Sequence, residues 1–227
     1  MKGFLSYFSK GELILWFSSL SLITVSFLLF DREGYLTLIA SLIGATSLIF
    51  CAKGNPIGPF LMVIFGILYG IISLTFRYYG EMITYVGMSV PMSAFSFIAW
   101  IRNPYKGKVS EVAISRLRKK DVYGMLVLTF AATVLFYFIL MAFDTANLIP
   151  STLSVATSFL AVLLTYKRSP YYALVYAAND VVLIVLWILA AMTDISYLSV
   201  IICFITFLVN DIYGFINWRQ MQKKQAE

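Results

Sequence analysis

The chain has 227 residues, of which 61% are hydrophobic and only 12% charged, with a mean hydropathy of +0.87 and a formal net charge of +6. A water-soluble domain carries about 45–50% apolar and about 25% charged residues, so a soluble globule is excluded. Histidine is absent, which removes His-based acid–base chemistry, a Ser-His-Asp triad and the commonest metal ligand.

In chain order, apolar runs lie near 13–30, 35–52, 57–76, 81–101, 122–143, 149–166, 170–192 and 195–217. At about 1.5 Å per residue each can cross a hydrocarbon core of about 30 Å. Backbone polar groups in lipid must be satisfied within the segment, so the expected fold is an all-α integral membrane protein with eight transmembrane helices. Lys2 and Lys10 before the first run resemble the start of a signal peptide, but the run is long and meets Asp31-Arg-Glu-Gly34 without a small-x-small cleavage site. It is read as a helix, preceded by an aromatic interfacial segment, Phe4 to Phe8. The fourth run holds Gly80, Gly87 and Pro91 and is expected to bend, because proline lacks a backbone donor. Cys51 and Cys203 fall in predicted helices, and a single possible pair is no disulfide framework.

Lysine and arginine set the orientation. Lys2, Lys10, Lys53, Lys167, Arg168, the 102–120 loop (Arg102, Lys106, Lys108, Arg116, Arg118, Lys119, Lys120) and the tail (Arg219, Lys223, Lys224) share one side, leaving Arg32 and Arg77 opposite. The positive-inside rule then puts both termini in the cytoplasm. The run Arg116 to Lys120 is read as ordinary loop charge rather than as a nucleic-acid patch.

An internal repeat is visible. Ala52-Lys-Gly-Asn-Pro56 aligns with Tyr166-Lys-Arg-Ser-Pro170, and Phe97-Ile-Ala-Trp100 aligns with Phe215-Ile-Asn-Trp218 after a shift in register. The second to fourth helices thus resemble the sixth to eighth, with the fifth as connector and the first as an extra. The predicted divisions are 1–34 (interfacial segment and first helix), 35–101 (first three-helix bundle), 102–148 (basic loop and linker helix), 149–218 (second bundle) and 219–227 (tail). Parallel repeats about an axis along the membrane normal are a recurring plan of secondary transporters, with substrate held between the units near mid-depth.

Two Asn-Asp pairs stand in the oil, Asn179-Asp180 in the seventh run and Asn210-Asp211 in the eighth. A carboxylate at the bilayer centre costs at least about 2.5–3.5 kcal/mol and marks a functional pathway by default. Tyr172, Tyr176 and Asn179 lie on one helix face by i, i+4, i+7 spacing. Asn210, Tyr213 and Asn217 form a similar face, and Tyr69 and Trp100 add aromatic rings from the third and fourth runs. Aromatic rings with amides and acids suit a flat, weakly polar or cationic ring bearing hydroxyls. The serines of the fourth run, Ser89, Ser93 and Ser96, are read as small packing residues. A membrane-embedded enzyme such as a lipid-modifying transferase would need a metal cluster or paired acidic motif that the sequence does not offer; no metal or cofactor is expected.

The phrase Asn210-Asp-Ile-Tyr-Gly-Phe-Ile-Asn-Trp218, the proline-led aromatic seventh run and the three-one-three plan resemble the Pnu family of bacterial vitamin transporters, in particular its nicotinamide riboside branch. The resemblance covers about 35 to 217. It implies a SWEET-like fold, a homotrimer in the bacterial cytoplasmic membrane, and facilitated uptake of nicotinamide riboside that a cytoplasmic kinase traps by phosphorylation. Members of that branch carry Trp-x-x-Trp-x-x-x-Asn on the helix matching the seventh. Here the asparagine is Asn179, while Tyr172 and Val175 replace the tryptophans and Tyr176 stands one residue away. Sister transporters carry thiamine, riboflavin or deoxyribonucleosides, so a related vitamin or nucleoside, or a proton-coupled carrier, is the alternative. The expected roles are Tyr172 and Tyr176 on the base, Asn179 and Asn210 on the amide or ribose, and Asp180 or Asp211 offsetting a cationic ring.

Overall fold

The computed structural model describes residues 6–75, 79–145 and 147–227; Lys2, Phe4, Leu5 and Arg77 lie outside the described residues. Among the described residues, eight helices are long and apolar enough to cross a membrane: α1 Lys10–Phe30, α2 Tyr35–Ala52, α3 Ile57–Thr75, α4 Tyr79–Ile101, α5 Lys119–Ala142, α6 Leu148–Tyr166, α7 Tyr171–Ala191 and α8, whose helix runs Leu198–Ala226. The protein is thus a multi-pass membrane protein. α2 packs on α3 and α3 on α4; α6 packs on α7 and α7 on α8; the two runs meet where α2 touches α8 and α4 touches α6. α5 lies along α6, and α1 against α2 and α8.

Several boundaries differ from the sequence expectation. The tail expected at 219–227 continues α8 to Ala226, because Arg219-Gln-Met-Gln-Lys-Lys-Gln-Ala226 contains only good helix formers and no breaker. Inside the basic loop lies a short antiparallel hairpin, β1 Pro104–Tyr105 and β2 Lys108–Val112. Lys106 and Gly107 turn it with φ of 47° and 78°. Phe8 is turned inward, with its ring 5.2 Å from Trp16 and 5.4 Å from Phe50, so this end of the aromatic segment packs on protein.

The bend in α4 takes the form of a π-helical segment, Thr84–Ser89, running into Val90 and Pro91. Pro91 offers no N–H to the preceding turn, and the wider register, with the Val90 amide bonded to the Tyr85 carbonyl, absorbs the missing donor. α3 approaches this segment through glycines. A Cβ on Gly70 would stand 2.4 Å from Val86 Cγ2, and one on Gly66 2.8 Å from Val90 Cγ2.

The end bearing the hairpin, here the basic end, is held by a repeated set of contacts. Gly54 and Arg168 each follow a helix end in left-handed conformation, φ 66° and 54°. Their carbonyls accept from two amides of the same linker, Val112 to Gly54 at 2.9 Å and Ser115 to Arg168 at 3.0 Å. Lys53 pairs with Glu12 at 2.9 Å and Lys167 with Asp121 at 3.1 Å. Each acid also accepts from the backbone amide three residues before it, at the start of its helix: Ser9 to Glu12 at 2.7 Å in α1 and Arg118 to Asp121 at 3.2 Å in α5. The first helix, read as an extra, therefore has a counterpart in α5.

Glu12 is 3% exposed and also accepts from the Tyr213 hydroxyl at 3.0 Å. Removing one partner of a buried pair leaves the other charge uncompensated. Lys53→Met should therefore destabilise the protein by about 3 kcal/mol, and Glu12→Gln with Lys53→Met should recover most of that; thermal unfolding in detergent measures both.

Candidate functional site

A cavity of about 140 Å³ runs between the two helix sets from mid-depth toward the end opposite the hairpin. Its polar wall comprises Glu81, Thr84, Tyr85, Ser89 and Ser93 of α4, Ser151, Ser154 and Ser158 of α6, Tyr176, Asn179 and Asp180 of α7, and Asp211 of α8. Apolar side chains such as Phe65, Leu183 and Phe207 complete it. Pockets that enclose drug-sized ligands measure about 300–1,000 Å³, so the walls must part to admit a vitamin. The π-helical segment lies in one wall, where a break in regular hydrogen bonding makes such movement cheapest.

Of the ten residues expected at the site, four line the cavity: Tyr176, Asn179, Asp180 and Asp211. The Asn179 carbonyl oxygen accepts from Thr157 at 2.8 Å and from Ser154 at 3.2 Å. These bonds fix the amide plane across the α6–α7 contact, in the wall of the cavity. Asp180 and Asp211 both line this cavity, and each residue is 4% exposed. Among the described residues, no lysine or arginine lines this cavity. Its charge is set by the two aspartates and, nearer the mouth, Glu81.

The other six stand elsewhere. Asn210 points away toward α1, its amide nitrogen donating to Ser19 Oγ at 2.9 Å and to the Thr206 carbonyl at 2.8 Å. Tyr213 bonds Glu12, and the Asn217 amide donates to the Ala52 carbonyl at 2.8 Å. Tyr69 stacks among Phe65 and Tyr85, with centroids at 4.6 and 5.2 Å. Trp100, Tyr172 and Trp218 form one buried aromatic cluster, with Trp100–Trp218 at 5.2 Å and Tyr172–Trp218 at 4.9 Å. This cluster lies on the basic side of the cavity and closes it there.

The indoles also bond backbone. Trp100 Nε1 donates to the Thr165 carbonyl at 2.9 Å and Trp218 Nε1 to the Cys51 carbonyl at 2.8 Å. Both acceptors are in the last turn of a helix, where carbonyls lack intrahelical partners. Sequence reasoning missed the serines of α6, although Ser151, Ser154 and Ser158 follow helical spacing and face the amide of α7. It also read Ser89 and Ser93 as packing residues, whereas they line the cavity; Ser96 does not, and bonds the Met92 carbonyl at 2.9 Å.

A family model described as nicotinamide mononucleotide transporter matches residues 34–220. The chain is 24% identical over 201 residues to a nicotinamide riboside transporter PnuC of Neisseria mucosa, covering 87% of this chain and 76% of that one. It is likewise 24% identical over 193 residues to a protein of the same description from Haemophilus influenzae, covering 85% and 82%. Among solved structures it resembles the crystal structure of the vitamin B3 transporter PnuC, with a TM-score of 0.81, 22% identity, and coverage of 96% of this chain and 94% of that one.

Two asparagines in similar sequence settings should behave differently. Asn179→Ala takes an amide out of the cavity wall and should raise the half-saturation concentration for uptake about tenfold, the worth of one well-placed hydrogen bond. Asn210→Ala should leave that concentration unchanged while lowering the melting temperature, since its amide serves α1. Uptake and melting measured on the same preparations check both.

Proposed function

This chain belongs to the nicotinamide mononucleotide transporter family, and from that membership we propose that it mediates facilitated uptake of nicotinamide riboside across the bacterial cytoplasmic membrane. The observation that carries the choice of riboside is the charge of the cavity: Asp180, Asp211 and Glu81 with no basic side chain among the described residues. Nicotinamide riboside bears a fixed positive charge on its pyridinium nitrogen, which such a cavity attracts. A mononucleotide would add a phosphate dianion to a low-dielectric space already holding acids, where like charges repel strongly. The names of the relatives from Neisseria and Haemophilus support the same substrate.

Tyr176 stacks on the pyridinium ring, the Asn179 NH₂ group donates to the carboxamide oxygen or a ribose hydroxyl, and the aspartates offset the charge. Tyr172 supports Tyr176 from behind, their ring centroids 6.2 Å apart. In this reading α2–α4 and α6–α8 are the repeated units and move against each other about the cavity. The basic end with both termini faces the cytoplasm, by the positive-inside rule. In the same reading, as the family resemblance implies, the protein is a homotrimer, moves substrate down its gradient rather than reacting with it, and works beside a cytoplasmic kinase. Phosphorylation gives the product the anionic charge that the acidic cavity rejects, so the trap needs no further gate.

A second reading, transport of thiamine, draws on the same observation, because thiamine is also a fixed cation. Riboflavin and deoxyribonucleosides are neutral in the ring that would meet the aspartates and gain nothing from them. The test is uptake of labelled nicotinamide riboside into proteoliposomes, competed with the mononucleotide, thiamine, riboflavin and thymidine. Saturable uptake, blocked by unlabelled riboside and indifferent to the mononucleotide, is expected; inhibition by thiamine alone would transfer the assignment to that vitamin, and uptake of the mononucleotide would overturn the charge argument.

A further inference from the structure

A second cavity, of about 410 Å³, opens at the basic end and shares no residue with the one at mid-depth. Its lining joins three segments: Arg116 and Arg118 of the linker, Asp121 in the first turn of α5, and Tyr166, Lys167 and Arg168 where α6 turns into α7. Four cations thus line it with one carboxylate. Asp121 uses both of its oxygens, Oδ2 for Arg118 Nε and Oδ1 for Lys167 Nζ, each at 3.1 Å. Among the described residues, neither Arg116 nor Arg168 has a carboxylate within ion-pairing distance. The two stand together because the Ser115 amide, one residue before Arg116, donates to the Arg168 carbonyl at 3.0 Å. Burial also pulls the Arg168 guanidinium below its ordinary pKa, the direction of a cation short of compensation.

We propose that this cavity is a binding site for a phosphate-bearing ligand, with the phosphate held between Arg116 and Arg168. A guanidinium is planar and always charged, and its fork of N–H groups meets the oxygens of a phosphate two at a time. Two unpaired forks offset the roughly 1.5 to 2 negative charges that a phosphomonoester carries at neutral pH. Arg118 and Lys167, already tied to Asp121, keep the surrounding potential positive without having to move. The volume matches the range of about 300–1,000 Å³ for small-ligand pockets. It therefore holds more than inorganic phosphate, and the Tyr166 ring gives the rest of the ligand an aromatic wall. The site lies at the ends of α5 and α6, so the phosphate has two possible sources, the headgroup of an anionic lipid in the adjoining leaflet or a soluble phosphate ester. Either one adds a second bridge across the gap that Ser115 and Arg168 already join through backbone, and ties the linker more firmly to the α6–α7 turn. None of this depends on what the mid-depth cavity carries.

Calorimetry on the detergent-purified full chain tests it, with adenosine monophosphate against adenosine and short-chain phosphatidylglycerol against phosphatidylcholine as probes. At least one of the two anionic probes is expected to bind once per chain, and its uncharged or zwitterionic counterpart is not. Arg116→Gln and Arg168→Asn should each weaken that binding about tenfold, the loss of one charge-assisted hydrogen bond. Asparagine is chosen at 168 because it tolerates the left-handed backbone there, φ 54°. Lys224→Gln removes the same charge at a residue that does not line the cavity, and should leave the affinity within about twofold because a distant exposed charge is screened. Preference for adenosine monophosphate identifies a soluble phosphate ester and preference for phosphatidylglycerol a lipid headgroup; both support the site. Should Arg168→Asn fail to fold, Arg116→Gln alone decides. The proposal is overturned if neither anionic probe binds, if adenosine or phosphatidylcholine binds as tightly as its anionic counterpart, if either folded arginine variant keeps full affinity, or if Lys224→Gln weakens binding as much as they do. None of these outcomes alters the uptake assay of the riboside, so the two assignments stand or fall separately.

Discussion

The two indole-to-carbonyl bonds of Trp100 and Trp218 organise the protein. Each tryptophan sits on the last helix of one triple, at the basic end, and satisfies a terminal carbonyl on the first helix of the other: Trp100 on α6 through Thr165, Trp218 on α2 through Cys51. Cys51 and Thr165 occupy the same place in the repeat that aligns Lys53 with Lys167. In a bilayer there is no hydrophobic force to push helices together, so packing and hydrogen bonds must do so. A reciprocal pair of buried N–H donors, with Tyr172 packed against both rings, supplies both at the level where the cavity ends.

Around that cluster the repeat is legible atom by atom. The left-handed residues Gly54 and Arg168, the amide bonds that return Asn55 to Phe50 and Ser169 to Leu164, and the ion pairs of Lys53 and Lys167 all recur at matched positions. The polar contents of the two last helices of the triples do not recur. α8 carries an aspartate into the cavity, whereas α4 brings serines and a π-helical segment. Shared architecture at one end and divergent chemistry at mid-depth is what a duplicated scaffold needs in order to build a single asymmetric site.

Hydropathy alone made the eight helices legible, because a lipid-crossing helix must be apolar over its whole length. Asn179 and Asp180 were legible for the complementary reason that buried polar groups are costly. What hydropathy could not resolve was direction. Asn210 and Asp211 are adjacent in sequence, yet about 100° of helical turn sends the first toward Ser19 on α1 and the second into the cavity. The hydroxyl-bearing face of α6 escaped notice because serine and threonine satisfy their own helix backbone in membranes as readily as they bind a partner, and Thr157 does both, bonding the Leu153 carbonyl and Asn179. The hairpin escaped because its strands of two and five residues are too short to display an alternating pattern.

That hairpin connects to both triples within a few residues. The amides of Val112 and Ser115 hold the carbonyls of Gly54 and Arg168, and three residues of extended chain span about 10 Å. The linker is therefore a tether of fixed length strung between the two turns. Any gap that opens between the triples at this end is limited to the slack in that tether, while the opposite end carries no such strap among the described residues. The molecule resembles a pair of tongs riveted near the handles, in which a small motion at the rivet becomes a wide one at the tips.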